Sequence, residues 1–441
     1  MRYRAAATWL AGSLLAAVSP TGAAADPPAA QVELSPMAVS GFAAVGQPLT
    51  TAQCEAKYRL ACYQAPQLQV AYDLGPLFRR GITGAGQTIV IVDPYGSPTI
   101  TGDLAAYDAQ YGLPAPPSFT IIQPAGPVPS YRAKSGFEGW AGETTLDVEM
   151  AHTMAPGANI LLAETPVSET EGVTGFPQIV RAENYVIDHH LGDVISQSFG
   201  ATEETFPSAA SVFALRSAYL NAAAHGVTVL AAAGDDGVTD VGLDGGTRYT
   251  YPVVSWPASD PLVTAVGGTQ LHLDAAGRRT SPDTLWNDSG GGVSSVFASP
   301  WYQDGVVGVV GTARGVPDIT MSGACNGAIQ TYQSFPGATA GWHLSCGTSE
   351  ATPLFAGIVA LADQVAGHGL GLINPALYAM KAGHAPGLVP VTSGNNTVTF
   401  TQDGRTYTIT GYQAGPGYNL ASGLGTVDAA KFVPTLAAYA S

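Results

Sequence analysis

Charged side chains are scarce in this chain: Asp, Glu, Lys and Arg together make up 11% of its 441 residues. Cations are scarcer still, with 17 Lys and Arg against 33 Asp and Glu, a formal net charge of −16. Nucleic acid and anionic membranes both need clustered Lys and Arg, so neither is expected as a partner. A chain so poor in cations gathers little positive charge when its carboxylates protonate near about pH 4, which mutes acid unfolding by self-repulsion. Long apolar runs are missing too. The apolar stretch 5–18 is too short to span a bilayer comfortably, and nothing later resembles a transmembrane helix. Cysteine is limited to four residues. In an exported chain these are expected as two disulfides, with local pairing of Cys54 with Cys62 and Cys325 with Cys346 preferred among the three connectivities. There is no internal repeat.

What is present begins with an export signal. Arg2 and Arg4 form a basic region, the apolar stretch follows, and Ala23-Ala24-Ala25 offers a cleavage site before Asp26. Residues 1–25 are thus expected to be a signal peptide and the protein to be secreted; losing Arg2 and Arg4 takes 17 cations to 15 against 33 acids, a net −18. Residues 26–50, rich in Ala, Pro and Val, form a short N-terminal extension, and 51–441 one large domain. From about residue 66, β-branched apolar runs alternate with helical patterns, the signature of βαβ units around a parallel sheet. Strands are predicted at 88–92, 159–163, 194–197, 227–231 and 262–266, and helices at 143–154, 177–189, 214–224 and 349–365. Segments 113–129 and 289–295 have loop composition, and 391–425 is expected as strands and turns appended to the main fold.

Three strings carry chemistry. In Gly347-Thr348-Ser349-Glu350-Ala351-Thr352-Pro353 a serine stands at the start of a buried helix, where free N–H groups and the helix dipole favour an oxyanion. An isolated serine there would be an ordinary N-cap. In Gly142-Glu143-Thr144-Thr145-Leu146-Asp147 the i, i+4 spacing puts two carboxyls on one helix face, in line with Met150 and Met154. Like charges one turn apart repel unless they share a proton or a function. In the third, the apolar run 227–233 ends in Gly234-Asp235-Asp236-Gly237, placing Asp235 at the carboxyl edge of the sheet. Turn chemistry alone would also produce that string.

Together these strings resemble the sedolisins, the acid-acting relatives of the subtilisins. The resemblance spans most of 51–430, with further support from 87–93, 196–200, 264–269, Ser289-Gly290-Gly291-Gly292, Arg314-Gly315-Val316-Pro317-Asp318 and Gly415-Pro416-Gly417-Tyr418. It implies a subtilisin-like α/β fold, a twisted parallel sheet flanked by helices on both faces in a single catalytic domain. It implies a serine-carboxyl peptidase: Ser349 as nucleophile, Glu143 as general base, Asp147 as its partner and Asp235 as the oxyanion-hole acid. Ser198, Gly200, Gly347 and Thr348 are the implied substrate contacts. Subtilisins carry their histidine in a His-Gly-Thr context, and none of the eight histidines here is followed by Gly-Thr. His152 is expected to be packed or hydrogen-bonded instead.

Departures from the pattern matter as well. Asp236 replaces the usual Ser, and Glu350 is larger and more acidic than the usual small residue, with an expected influence on anionic substrates or neighbouring pKa values. The sedolisin calcium site uses an Asp-Ile-Thr-x-Gly string and a Gly-aromatic-Asp-Pro string. Here the matching segments are Pro390-Val391-Thr392-Ser393-Gly394 and Gly417-Tyr418-Asn419-Leu420, so both ligand carboxylates are replaced, by Pro390 and Asn419. No cofactor is therefore expected, unless a shifted site uses Asp403 or Asp428. The roughly 25 residues between the signal and Cys54 are too few for an independent prodomain. The expected activity is hydrolysis of peptides or unfolded proteins by a monomer, with an optimum around pH 3–5 given unperturbed carboxyls near 4. Two alternatives stay open: a neutral subtilisin-like hydrolase with a base at His152 or His343, and a non-catalytic exported binding protein.

Overall fold

The computed structural model describes residues 38–44, 46–133 and 136–440. The expected signal peptide and most of the expected extension lie outside the described residues. The described residues fall in one compact unit.

Seven parallel strands form its centre: β1 (Thr88–Pro94), β2 (Phe119–Ile122), β3 (Asn159–Thr165), β4 (Val194–Gln197), β5 (Thr228–Ala232), β6 (Thr264–Gln270) and β7 (Ile319–Ser322), in the order β2-β3-β1-β4-β5-β6-β7. The strands are continuous apolar runs because both faces are covered. Along β1, Ile89 and Ile91 enter one core with Leu162, Val194, Leu230 and Val266. Val90 and Val92 enter the opposite core with Leu161, Ile195 and Val229. Helices α1 (Gly136–Met154) and α4 (Thr348–Ala366) pack on the first face through Leu146, Met150, Leu354 and Ile358. Helices α2 (Phe176–Asp188) and α3 (Ser217–His225) cover the second through Ile179, Val186, Ala218 and Ala222. Each fully buried Ile or Leu contributes roughly 1.5–3 kcal/mol.

All predicted strands and helices are present, with shifted ends. The pattern at 214–224 is two helices, Ala209–Leu215 and α3. The break falls at Arg216, whose guanidinium forks onto Asp260 at 2.5 and 2.9 Å. Strand β6 starts at Thr264, since Asp260 Oδ1 accepts from Leu262 N at 2.9 Å and holds a turn there.

A four-stranded sheet lies outside the parallel one, ordered Ala38–Ala44, Gly341–Ser345, Ala328–Gln333, Cys62–Tyr63. Part of the expected extension is therefore an edge strand. Both disulfides have the expected pairing, Cys54 with Cys62 and Cys325 with Cys346, and border this sheet. Strands Val398–Gln402 and Arg405–Ile409 form the expected C-terminal hairpin, turned by Asp403-Gly404 with both φ positive (51° and 71°), the geometry a two-residue hairpin loop prefers.

Candidate active site

The strand order reverses around β1, and the carboxyl ends beside such a reversal form a crevice. Three chain segments reach it directly: Asp93 at the end of β1, Ser198 after β4, and Asp235 after β5. Two buried helices add the rest. Helix α1 brings Glu143 and Asp147, 3% and 0% exposed, and α4 begins with Thr348 and Ser349.

The start of α4 follows from its sequence. Gly347 has φ +116°, and a Cβ there would meet Asp235 Oδ2 at 2.6 Å. Thr348 N and Oγ1 both donate to Asp235 Oδ1, at 2.7 and 2.8 Å, and Glu350 N bonds Gly347 O. The Ser349 N–H is left among the orphan donors of the first turn. Pro353 has no N–H for the Ser349 carbonyl four residues back, and Ser198 Oγ approaches that carbonyl at 3.4 Å. The same hydroxyl donates to Asp147 Oδ1 at 2.9 Å. Ser198 thus links the start of α4 to α1.

Electrostatics unite the carboxyls. Burial holds Glu143 well above the usual carboxylate range; the Ser349 hydroxyl opposes this, while Asp93, Asp235 and Glu169 reinforce it. Asp147 is raised likewise by burial, then by Asp93 and Glu143, with Ser198 opposing. Asp93 is pushed up to about 7 by burial, with Thr144 opposing and Glu164 reinforcing. Both Asp93 oxygens, Glu143 Oε1 and Asp147 Oδ2 have no well-aligned hydrogen-bond partner among the described residues. Ionised oxygens so placed are costly, so the three acids share protons and ionise one at a time rather than together. Asp235 is raised to about 6 by burial, against the two Thr348 bonds.

The sequence-derived candidates therefore come together. Ser349, Asp235, Ser198, Gly200 and Thr348 line one cleft of about 170 Å³, with Glu143 and Asp147 immediately behind. Gly347 sits under the Asp235 carboxyl and is not part of the lining. Glu350 turns into the interior, fully buried and raised to about 8 by desolvation, with Ser322 opposing; it does not face the cleft as a repeller of anions. His152 is buried, its Nε2 2.8 Å from Pro114 O and 3.2 Å from Asp108, and no histidine lines the cleft. Sequence reasoning missed Asp93, Trp140 and the lining acids Glu169, Glu171 and Asp240. Asp93 had a usable signal, a charge closing a wholly apolar strand at the sheet's carboxyl edge.

Comparison with known proteins agrees with this geometry. The model of the Subtilase family matches residues 139–376. Kumamolisin of Bacillus sp. (strain MN-32) is 34% identical over 384 residues, covering 82% of this chain and 62% of the relative. Sedolisin of Pseudomonas sp. (strain 101) is 31% identical over 364 residues, 79% and 57% respectively. The chain is a sedolisin, within the subtilase family. A solved Pseudomonas sedolisin, described as a serine-carboxyl proteinase complexed with pseudo-iodotyrostatin, superposes with a TM-score of 0.69 at 26% identity, covering 85% of this chain and 97% of that one. Human tripeptidyl-peptidase 1 is 30% identical over 319 residues, 68% of this sedolisin and 52% of the relative. The alignments thus span less than two thirds of these curated relatives' own length.

Proposed function

We propose that this protein is an exported serine-carboxyl peptidase acting on peptides or unfolded proteins at acid pH. The observation that carries it is the Ser349 side chain set against Glu143, with Asp147 behind and Asp235 hydrogen-bonded to the start of the helix that carries Ser349. Ser349 Oγ attacks the peptide carbonyl, Glu143 accepts its proton and returns it to the leaving amine, and Asp147 steadies Glu143. Asp235 Oδ1 already accepts two hydrogen bonds from Thr348. Its proton therefore belongs on Oδ2, which donates to the developing oxyanion beside the Ser349 N–H.

One member of the buried set must be ionised while Asp235 stays neutral, so kcat/KM follows a bell. The acid limb belongs to the set Asp93, Glu143 and Asp147 jointly. The alkaline limb follows Asp235, near about 6. A pH–rate profile on a denatured protein tests this: an acid bell is expected, and a neutral optimum insensitive to Glu143→Ala would point to a histidine base.

Gly347→Ala places a methyl against Asp235 Oδ2 in a backbone conformation that L-residues avoid. It is expected to cost about 10²–10³-fold in kcat, as losing an oxyanion donor does; unchanged kcat would argue that Asp235 has no such role.

The same proposal leaves calcium dispensable. Asn419 Oδ1 accepts from Ala421 N, Ser422 N and Ser422 Oγ at 3.1, 2.8 and 3.1 Å, and Asn419 Nδ2 donates to Gly415 O at 3.1 Å. Ser422 Oγ points to Val391 O at 3.4 Å. These carbonyls face N–H and O–H donors, an arrangement unsuited to a cation that wants anionic oxygens. Chelator and added calcium are expected to leave Tm unchanged; a calcium-dependent rise would overturn this. Export is supported by the two disulfides, which suit an oxidising compartment.

A further inference from the structure

Asp236 follows Asp235 directly, lines the cleft, and stands where the sedolisin pattern has an uncharged serine. Unbalanced, it would put a negative charge beside the acid assigned to the oxyanion. No Lys or Arg among the described residues lines the cleft, but one guanidinium reaches this corner from outside it. Arg248 forms an ion pair with Asp236. Its own position is fixed independently: Arg248 N donates to Gln402 Oε1 at 2.8 Å, and its guanidinium lies 5.7 Å from the Phe400 ring centroid. Both anchors belong to the hairpin of Val398–Gln402 and Arg405–Ile409. The same hairpin region holds the Asp236 loop through Val238 N, which donates to Asn396 O at 3.0 Å.

We propose that Arg248 is a positioning residue for Asp235: it ties Asp236 to the C-terminal hairpin and cancels the charge that Asp236 brings to the oxyanion corner. This rests on Asp235 being the oxyanion acid. The charged groups facing Asp235 are Asp236 on its own loop, Asp288 on the segment before the glycine run, and Glu143 on α1. Asp236 and Asp288 disfavour its ionisation, and its own charge in turn raises Glu143. Arg248 opposes the first through the ion pair and also acts on Asp288. Asp240 lies against Asp236 and is raised to about 7, first by burial and then by that neighbour. The hairpin thereby acts on the reaction without touching substrate. Its expected signature is electrostatic: the position of the alkaline limb depends on the Arg248 and Asp236 charges together.

The test is the pH profile of kcat/KM for wild type, Arg248→Gln, Arg248→Lys, Asp236→Ser and the double variant Arg248→Gln/Asp236→Ser, with Asp235→Asn alongside. Arg248→Gln should move the alkaline limb up by about half a pH unit, and Asp236→Ser should move it down by a similar amount. The double variant, which removes both charges of the pair, should lie nearer to wild type than either single variant. Arg248→Lys keeps the charge and should hold the limb in place. If Asp235→Asn is inactive or loses the alkaline limb while Arg248→Gln and Asp236→Ser leave the limb at the wild-type pH, the positioning role is wrong and the oxyanion assignment stands. If Asp235→Asn stays active with the limb unmoved, the oxyanion assignment itself fails. Should Arg248→Gln not fold, Asp236→Ser alone decides, since the Arg248 guanidinium it leaves unpaired is about 31% exposed and can be solvated.

Discussion

Ser349→Ala is expected to remove peptide hydrolysis almost entirely, by about 10⁶-fold in kcat, with the fold intact. The side chain is small and lines the cleft, so its loss leaves no sizeable new cavity. Glu143→Gln should cost about 10²–10⁴-fold, the usual range for a general base. Combining the two should cost no more than Ser349→Ala alone, because the base has nothing to activate once the hydroxyl is gone. Stability separates this from damage to the fold. Burial favours the neutral form of Glu143, so glutamine, neutral at every pH, should hold or raise Tm above neutrality. A Glu143→Gln variant with full activity would end the serine-carboxyl assignment, and one with normal Tm and no activity would support it.

The second large effect is on stability against pH. Asp93 and Glu350 are fully buried, and their carboxyls are raised to about 7 and about 8. A raised carboxyl binds its proton more tightly in the folded than in the unfolded chain. Its contribution is therefore complete below the unfolded value near 4 and is lost as pH climbs through the folded value. At about three pH units of difference, each contributes on the order of 4 kcal/mol. Tm should be highest near pH 4 and at least about 10 °C lower at pH 8.5. Glu350→Gln should recover part of that fall at pH 8.5 while changing little at pH 4. A Tm that rises from pH 4 to 8.5 would contradict this account.

Legibility in the sequence followed periodicity and local strings. Strands covered on both faces appear as unbroken apolar runs, so β1, β3 and β4 were readable almost to the residue. The acids of α1 were readable because i, i+4 spacing survives any tertiary context. What escaped depends on contacts between distant residues. Asp93 joins Asp147 only because β1 and α1 pack together. Gly347 looked like part of a substrate contact, but its lack of a side chain accommodates the Asp235 carboxyl from another loop. Glu350 looked cleft-facing because it adjoins Ser349, yet one step along a helix turns a side chain by about 100°. The split at Arg216 required knowledge of Asp260, 44 residues away.

The Cys325 to Cys346 bridge ends three positions before Ser349. The strand leading into the nucleophile helix is therefore tethered covalently at the point where it must deliver Gly347 beneath Asp235. A chain synthesised under reducing conditions would rely on packing alone to hold that junction. On the proposed role of Ser349, recombinant material from a reducing cytosol is expected to contain a fraction that is folded yet idle until the thiols are joined.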